Sequence, residues 1–228
     1  MNMVRNNIPN FITSLNLLSG CLAVVAAFHA RETLCMGLTG LEWAFVLIAA
    51  AAVFDFFDGF AARLLHAVSG IGKELDSLSD LVSFGVAPAM IVFNVLQPCW
   101  VAWAAMLIAV CGALRLARFN VDTRQSTTFT GLPIPGNAIF WIGASAWLAA
   151  HPATPAWLTL AVIVLVSWLM VSPLRMFSLK VHNLSPRENW AQLALIAGAV
   201  VLVCLLGIYG LAATIALYVA LSIVKHEK

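Results

Sequence analysis

Half of the ten acidic residues in this chain fall between Asp55 and Asp80, in the stretch DFFDGFAARLLHAVSGIGKELDSLSD. Asp55 and Asp58 are three residues apart and Asp76 and Asp80 four apart, spacings that on helices project each pair from one face. An antiparallel hairpin turning near Ser69 to Gly72 would set the two pairs against each other. Four carboxylates at one point repel one another, so something must compensate. Hard divalent cations with oxygen ligands do this best, and two cations could share the four carboxylates. Two metals about 3.5–4 Å apart can clamp a phosphoryl group during in-line displacement. Gly59 and Gly72 lack side chains and would let a bulky phosphate ligand or a neighbouring helix approach closely. Arg63, one turn past Asp58, is placed to bind a phosphate oxygen. Any single Asp here could be a solvated surface acid, but ionisable clusters in membrane segments are usually functional. His66 has no partner at metal spacing and reads as an interfacial loop residue. Cys21, Cys35, Cys99, Cys111 and Cys204 lack ligand spacing and read as small packing hydrophobes.

The elements that must carry these residues are membrane helices. The 228 residues are 62% hydrophobic and only 10% charged, with a mean hydropathy of +0.97. A water-soluble globule of this length could not hide that much apolar surface, and disordered, disulfide-framework and nucleic-acid-binding chains are excluded by the same composition. Eight apolar spans can be marked: Phe11 to Phe28, Leu38 to Phe57, Leu78 to Leu96, Trp100 to Leu116, Pro135 to Ala150, Trp157 to Pro173, Trp190 to Leu206 and Tyr209 to Val224. HPATP, His151 to Pro155, and Gly207 with Ile208 read as tight turns between antiparallel helices. The first span resembles a signal peptide in outline, but seven more follow, so it reads as a retained helix. With eight spans both termini share one side, and Arg5, Arg63, Lys73, Arg115, Arg118, Arg124, Arg175, Lys180, Arg187, Lys225 and Lys228 lie there with them. Only Arg31 lies opposite, which makes that shared side cytoplasmic. The expectation is an all-α integral membrane protein, one membrane-embedded catalytic domain over 1–228, with both termini and its chemistry facing the cytoplasm. A compact chain of this kind suits a prokaryotic inner (plasma) membrane. Most of the eight tryptophans sit near span ends, as interfacial anchors do.

Asp55, Asp58, Gly59, Ala62, Arg63, Gly72, Asp76 and Asp80 fit D-x2-D-G-x2-A-R-x8-G-x3-D-x3-D without departure. This resembles the signature of the CDP-alcohol phosphatidyltransferases, which move a phosphatidyl-type group from a CDP-linked lipid to an alcohol and release CMP. The resemblance implies a six-helix membrane core, here with two helices added, and a homodimer. It implies two ions, Mg2+ or Mn2+, the first held by Asp55, Asp58 and Asp76 and the second by Asp55, Asp76 and Asp80. Asp80 would also be the base that accepts the hydroxyl proton. Gly59, Arg63 and Ser69 would contact the CDP moiety.

Three further segments are similar to the serine-using branch of that family, the phosphatidylserine synthases. They are IPNFITSLNLLSG (Ile8 to Gly20), RLARFN (Arg115 to Asn120) and FTGLPIPGNA (Phe129 to Ala138). Asn10 and Thr13 would lie near the nucleotide. CDP-diacylglycerol and L-serine are thus the implied substrates, drawn from and returned to membrane lipid. Serine's carboxylate needs a cation, and arginine binds carboxylate or phosphate bidentately. Arg115 and Arg118, at apolar positions three apart, are candidates, with Lys180 as a third. Arg124 reads equally as an anchor or a ligand. Pro133 and Pro135 would stiffen a loop over the site. Past Ala138 only composition and Lys180 remain to argue from. The alternatives are the same chemistry on glycerol 3-phosphate, inositol phosphate or a choline-like acceptor, or a divalent-cation transporter. A transporter should distribute its acids through the membrane's depth, whereas these sit at one interface with Arg63.

Overall fold

The computed structural model describes residues 2–65, 67, 69–121, 129–177 and 189–226. His66, Arg124, Lys180 and Arg187 lie outside them. Among the described residues, five helical stretches are long and apolar enough to cross a membrane: Asn7–Phe28, Gly40–Leu64, Gly70–Leu96, Trp100–Val121 and Trp190–Lys225. Two shorter apolar helices, Ile134–Ala150 and Ala156–Val171, join them. The last long stretch folds back at Gly207, whose φ of +59° ends one helix before the next starts at Gly210. Each of the eight apolar segments read from the sequence is therefore a helix. The chain is an all-α integral membrane protein, and its surface agrees. Small residues such as Ala23, Ala27, Ala44, Ala51, Ala87 and Ala102 are fully buried, while Phe11, Val25, Val200 and Leu205 are exposed. Close approach through small residues is how helices pack where lipid removes the hydrophobic drive between them.

The chain forms two compact units, Met1–Val110 and Cys111–Lys228. In the first, α1 (Asn2–Phe28) is the common partner of α2 (Gly40–Leu64), α3 (Gly70–Asp80) and α4 (Ala87–Leu96). α2 opens on a capping box, in which the Thr39 hydroxyl accepts from the Glu42 N–H and the Glu42 carboxylate accepts from the Thr39 N–H at 2.7 Å. It then runs seven residues beyond the expected end at Phe57, so Asp58, Gly59 and Arg63 are helical. α3 begins at Gly70 rather than Leu78, because Ser69 caps it by accepting from the Gly72 N–H at 3.0 Å. Gly70 to Gly72 are thus already helical, where the expected turn ran from Ser69 to Gly72. Between α3 and α4 the helix widens to a π segment, Leu81–Val86, where the Ala87 N–H reaches back to the Val82 carbonyl. Pro88 follows at once; its ring cannot fit over the carbonyl four residues earlier, and a wider turn makes room.

The seam between α1 and α3 explains the spacing of the N-terminal motif. Thr13, Asn16 and Gly20 recur on one face of α1. The Ser83 hydroxyl donates to the Asn16 carbonyl at 3.0 Å, and the Ser79 hydroxyl is shared between the Leu75 carbonyl of its own helix at 2.8 Å and the Thr13 carbonyl at 3.3 Å. A Cβ at Gly20 would collide with Ser83, so the helices touch backbone to side chain there.

The second unit holds the end of α5 (Met106–Val121), then α6 (Ile134–Ala150), α7 (Ala156–Val171), α8 (Trp190–Leu206) and α9 (Gly210–His226). α8 and α9 form an antiparallel hairpin, with Gly198 against Leu217 and Gly210 against Leu202. A two-residue antiparallel ribbon pairs β1 (Phe129–Thr130) with β2 (Arg175–Met176). It belongs to the segment FTGLPIP. Gly131 has φ +75° and lies against the Met170 carbonyl, while the Leu132 N–H donates to the Leu169 carbonyl at 3.0 Å. The Tyr218 hydroxyl of α9 donates to the Phe177 carbonyl at 2.9 Å, and Lys225 sits 5.2 Å from the Phe177 ring centroid. Trp141 departs from the interfacial pattern of the tryptophans: it is buried in α6, edge-on to Phe140.

Candidate active site

Asp55 on α2 and Asp76 and Asp80 on α3 each bring a carboxylate oxygen to within 4.8 Å of the others. All three are half-buried, and the charges acting on Asp80 are those of Asp55, Asp76 and Asp58. An all-carboxylate oxygen cluster of this density is the donor set that a hard divalent cation takes. Asp58 is not one of that three-way group, but its charge acts on all three. It is 5% exposed, its Oδ2 has no hydrogen-bond partner, and it lines the neighbouring cavity. The two pairs thus converge as the spacing predicts, with three acids in one cluster and the fourth one step away.

The cavity, about 220 Å3, lies within the first unit. Its walls are Pro9, Asn10 and Thr13 of α1, Asp58, Gly59 and Ala62 of α2, and Ala67, Ser69, Gly72, Lys73 and Asp76 beyond the turn. Asn10, Thr13, Gly59 and Ser69, the residues expected near the nucleotide, therefore surround one space. Arg63 is exposed on the last turn of α2 and is not among its walls. Lys73 is, although the sequence marked it only as a cytoplasmic-side charge; its place right after G-I-G at the start of α3 was the available signal. A second residue passed over is Asn16, whose side-chain amide donates to Asp80 Oδ1 at 3.3 Å. It had appeared only as a motif letter.

Arg115 and Arg118 lie in the second unit and line a small pocket with Phe119, Thr130, Met170, Val171 and Ser172. Arg115 is buried, and Arg118 Nη1 donates to the Val171 carbonyl at 2.9 Å. The Ser172 hydroxyl is turned onto the Leu169 carbonyl at 2.9 Å. The end of α7 is therefore a wall of the pocket, which the sequence past Ala138 did not reveal. Lys180 belongs to the undescribed residues.

Helical membrane architecture and a carboxylate cluster beside a cavity with Asn10, Thr13, Ser69 and Lys73 in its walls define an integral membrane protein equipped to hold divalent metal next to a ligand with polar groups. The family model described as CDP-alcohol phosphatidyltransferase matches residues 6–150, and the chain belongs to that family, with the phosphatidyltransferase activity that defines it. The chain is similar to the CDP-diacylglycerol–serine O-phosphatidyltransferase of Bacillus subtilis, 36% identical over 187 residues, which are 81% of this chain and 97% of that protein. A protein of the same name from Methanocaldococcus jannaschii is 38% identical over 136 residues, 60% of this chain and 59% of the other. The archaetidylserine synthase of Methanothermobacter thermautotrophicus is 37% identical over 143 residues, 58% of this chain and 54% of the other. The chain thus spans nearly the whole Bacillus protein and just over half of the two archaeal ones.

Proposed function

We propose that this chain transfers the phosphatidyl group of CDP-diacylglycerol to the hydroxyl of L-serine, giving phosphatidylserine and CMP. The observation that carries this reading is the convergence of Asp55, Asp76 and Asp80 at the edge of a cavity walled by Asn10, Thr13, Gly59 and Ser69. Two divalent ions, Mg2+ or Mn2+, would be held by Asp55, Asp58 and Asp76 and by Asp55, Asp76 and Asp80. When bound, they neutralise diphosphate charge and the charge that develops on departing CMP. Asn10, Thr13, Gly59 and Ser69 seat the cytidine diphosphate, and Arg63 meets a phosphate oxygen. Asp80 takes the proton of the serine hydroxyl while that oxygen bonds to the phosphorus bearing diacylglycerol and the bond from phosphorus to the CMP oxygen breaks. Arg115 and Arg118, with Lys180, recognise the serine carboxylate.

The acceptor assignment is supported by the segments RLARFN and FTGLPIP and by relatives whose names carry serine. The whole chain acts as one catalytic domain and as a homodimer, with both termini and the site on the cytoplasmic side; the eleven-to-one distribution of Lys and Arg supports that orientation. The test is an acceptor screen on purified protein in detergent. CMP release from CDP-diacylglycerol is measured with serine, glycerol 3-phosphate and inositol phosphate, each with and without EDTA. Chelator-sensitive release with serine alone is expected. Release with glycerol 3-phosphate or inositol phosphate and none with serine would refute the assignment.

A further inference from the structure

We infer that Asn16 is a positioning residue for Asp80, holding the carboxylate in the orientation that accepts the substrate proton. The inference rests on the proton-accepting role proposed for Asp80. Asn16 is fully buried in the first unit, and its side-chain Nδ2 donates to Asp80 Oδ1 at 3.3 Å. The other end, Oδ1 of Asn16, is buried without a hydrogen-bond partner. Asn16 thus leaves its acceptor unpaired and places its donor on Asp80.

The backbone beneath it is fixed. The Ser83 hydroxyl holds the Asn16 carbonyl at 3.0 Å, and Gly20 abuts Ser83 one turn later. The amide is therefore delivered from a clamped stretch of α1 onto a carboxylate at the end of α3. One hydrogen bond to Oδ1 limits rotation of the Asp80 carboxyl and so fixes the direction in which its remaining lone pairs point.

The test uses the full chain in detergent with Mn2+, CDP-diacylglycerol and serine. Asn16→Leu keeps the branched four-atom outline of the side chain, with bulkier ends, and removes both the donor and the unpaired acceptor. Its kcat should fall about 10- to 100-fold, the range typical of supporting residues around a site. Both KM values should stay within about 3-fold, because the bond acts on the carboxylate and not on substrate binding. The thermal midpoint should not drop. Introduced into Asp80→Asn, Asn16→Leu should cost nothing further, since two residues acting through one group are not additive. Should Asn16→Leu fail to fold, Asn16→Ala is read in the same way. A folded Asn16 variant with native kcat, or a loss that adds in full to that of Asp80→Asn, overturns the inference while leaving the role of Asp80 intact. Native turnover by Asp80→Asn overturns that role and the inference together.

Discussion

Arg118→Ala separates the acceptor from the lipid substrate. A guanidinium has five N–H donors in a fixed fork, and here one nitrogen, Nη1, is engaged with the Val171 carbonyl at 2.9 Å. That bond is present whatever the substrate, so its loss should show as a small drop in thermal midpoint and should not discriminate between ligands. The remaining donors are the ones proposed to meet the serine carboxylate. A charge-assisted hydrogen bond contributes about 1.5–3 kcal/mol, so removing it should raise the serine KM about 10- to 150-fold. The KM for CDP-diacylglycerol should move by less than about 3-fold, because uniform loss of binding to one substrate leaves the other untouched. Arg118→Lys should be nearly as poor as the alanine variant. An ammonium is a point charge and cannot hold the Val171 carbonyl and fork onto a carboxylate together. Steady-state CMP release with each substrate varied in turn reads all of this. Serine methyl ester, which lacks the carboxylate charge, should be a poor acceptor for the native protein. A native serine KM in Arg118→Ala, or an ester that reacts as well as serine, would show that the pocket of Arg115 and Arg118 does something other than bind the acceptor's carboxylate.

Chelation should abolish CMP release and Mg2+ or Mn2+ restore it; undiminished activity in excess EDTA would remove metal from the chemistry. Of the acids, Asp55→Ala and Asp76→Ala should be the most damaging, since each is proposed to serve both ions. Asp80→Asn should lower turnover about 10^2- to 10^4-fold, the usual contribution of a general base, while binding of CDP-diacylglycerol, followed by calorimetry, is largely kept. Gly131→Ala places a side chain at φ +75° and against the Met170 carbonyl, so it should destabilise the fold by at least about 1–3 kcal/mol, seen as a lower thermal midpoint in detergent.

The eight helices could be read from hydropathy, but their ends near the site could not. A hydropathy count stops α2 at Phe57 because charged and polar residues follow, yet helical hydrogen bonding does not depend on apolar side chains, and α2 continues to Leu64. The same bias delayed the expected start of α3 to Leu78, past the true cap at Ser69. The convergence of Asp55, Asp76 and Asp80 was legible because helical spacing fixes the face a side chain occupies. Asn16 and Gly20 stood in the N-terminal motif, but nothing in its spacing said which helix would meet them. In the second unit the partner of Arg118 is a backbone carbonyl, which every residue type offers equally and no sequence signal marks. The uniformly apolar α6 to α9 carry little pattern from which a buried face could be told from a lipid-facing one.

The π segment at Leu81–Val86 sets which faces of one long helix reach α1. The stretch Gly70–Leu96 is one continuous helical rod, and each α-helical residue advances its phase by about 100°. A single extra residue accommodated in the widened turn therefore shifts the angular phase of everything after it by a fixed amount. Both α3 and α4 pack on α1 with that offset in place. Deleting one residue within 81–86 would remove it, so that α3 and α4 could not both keep their present faces toward α1.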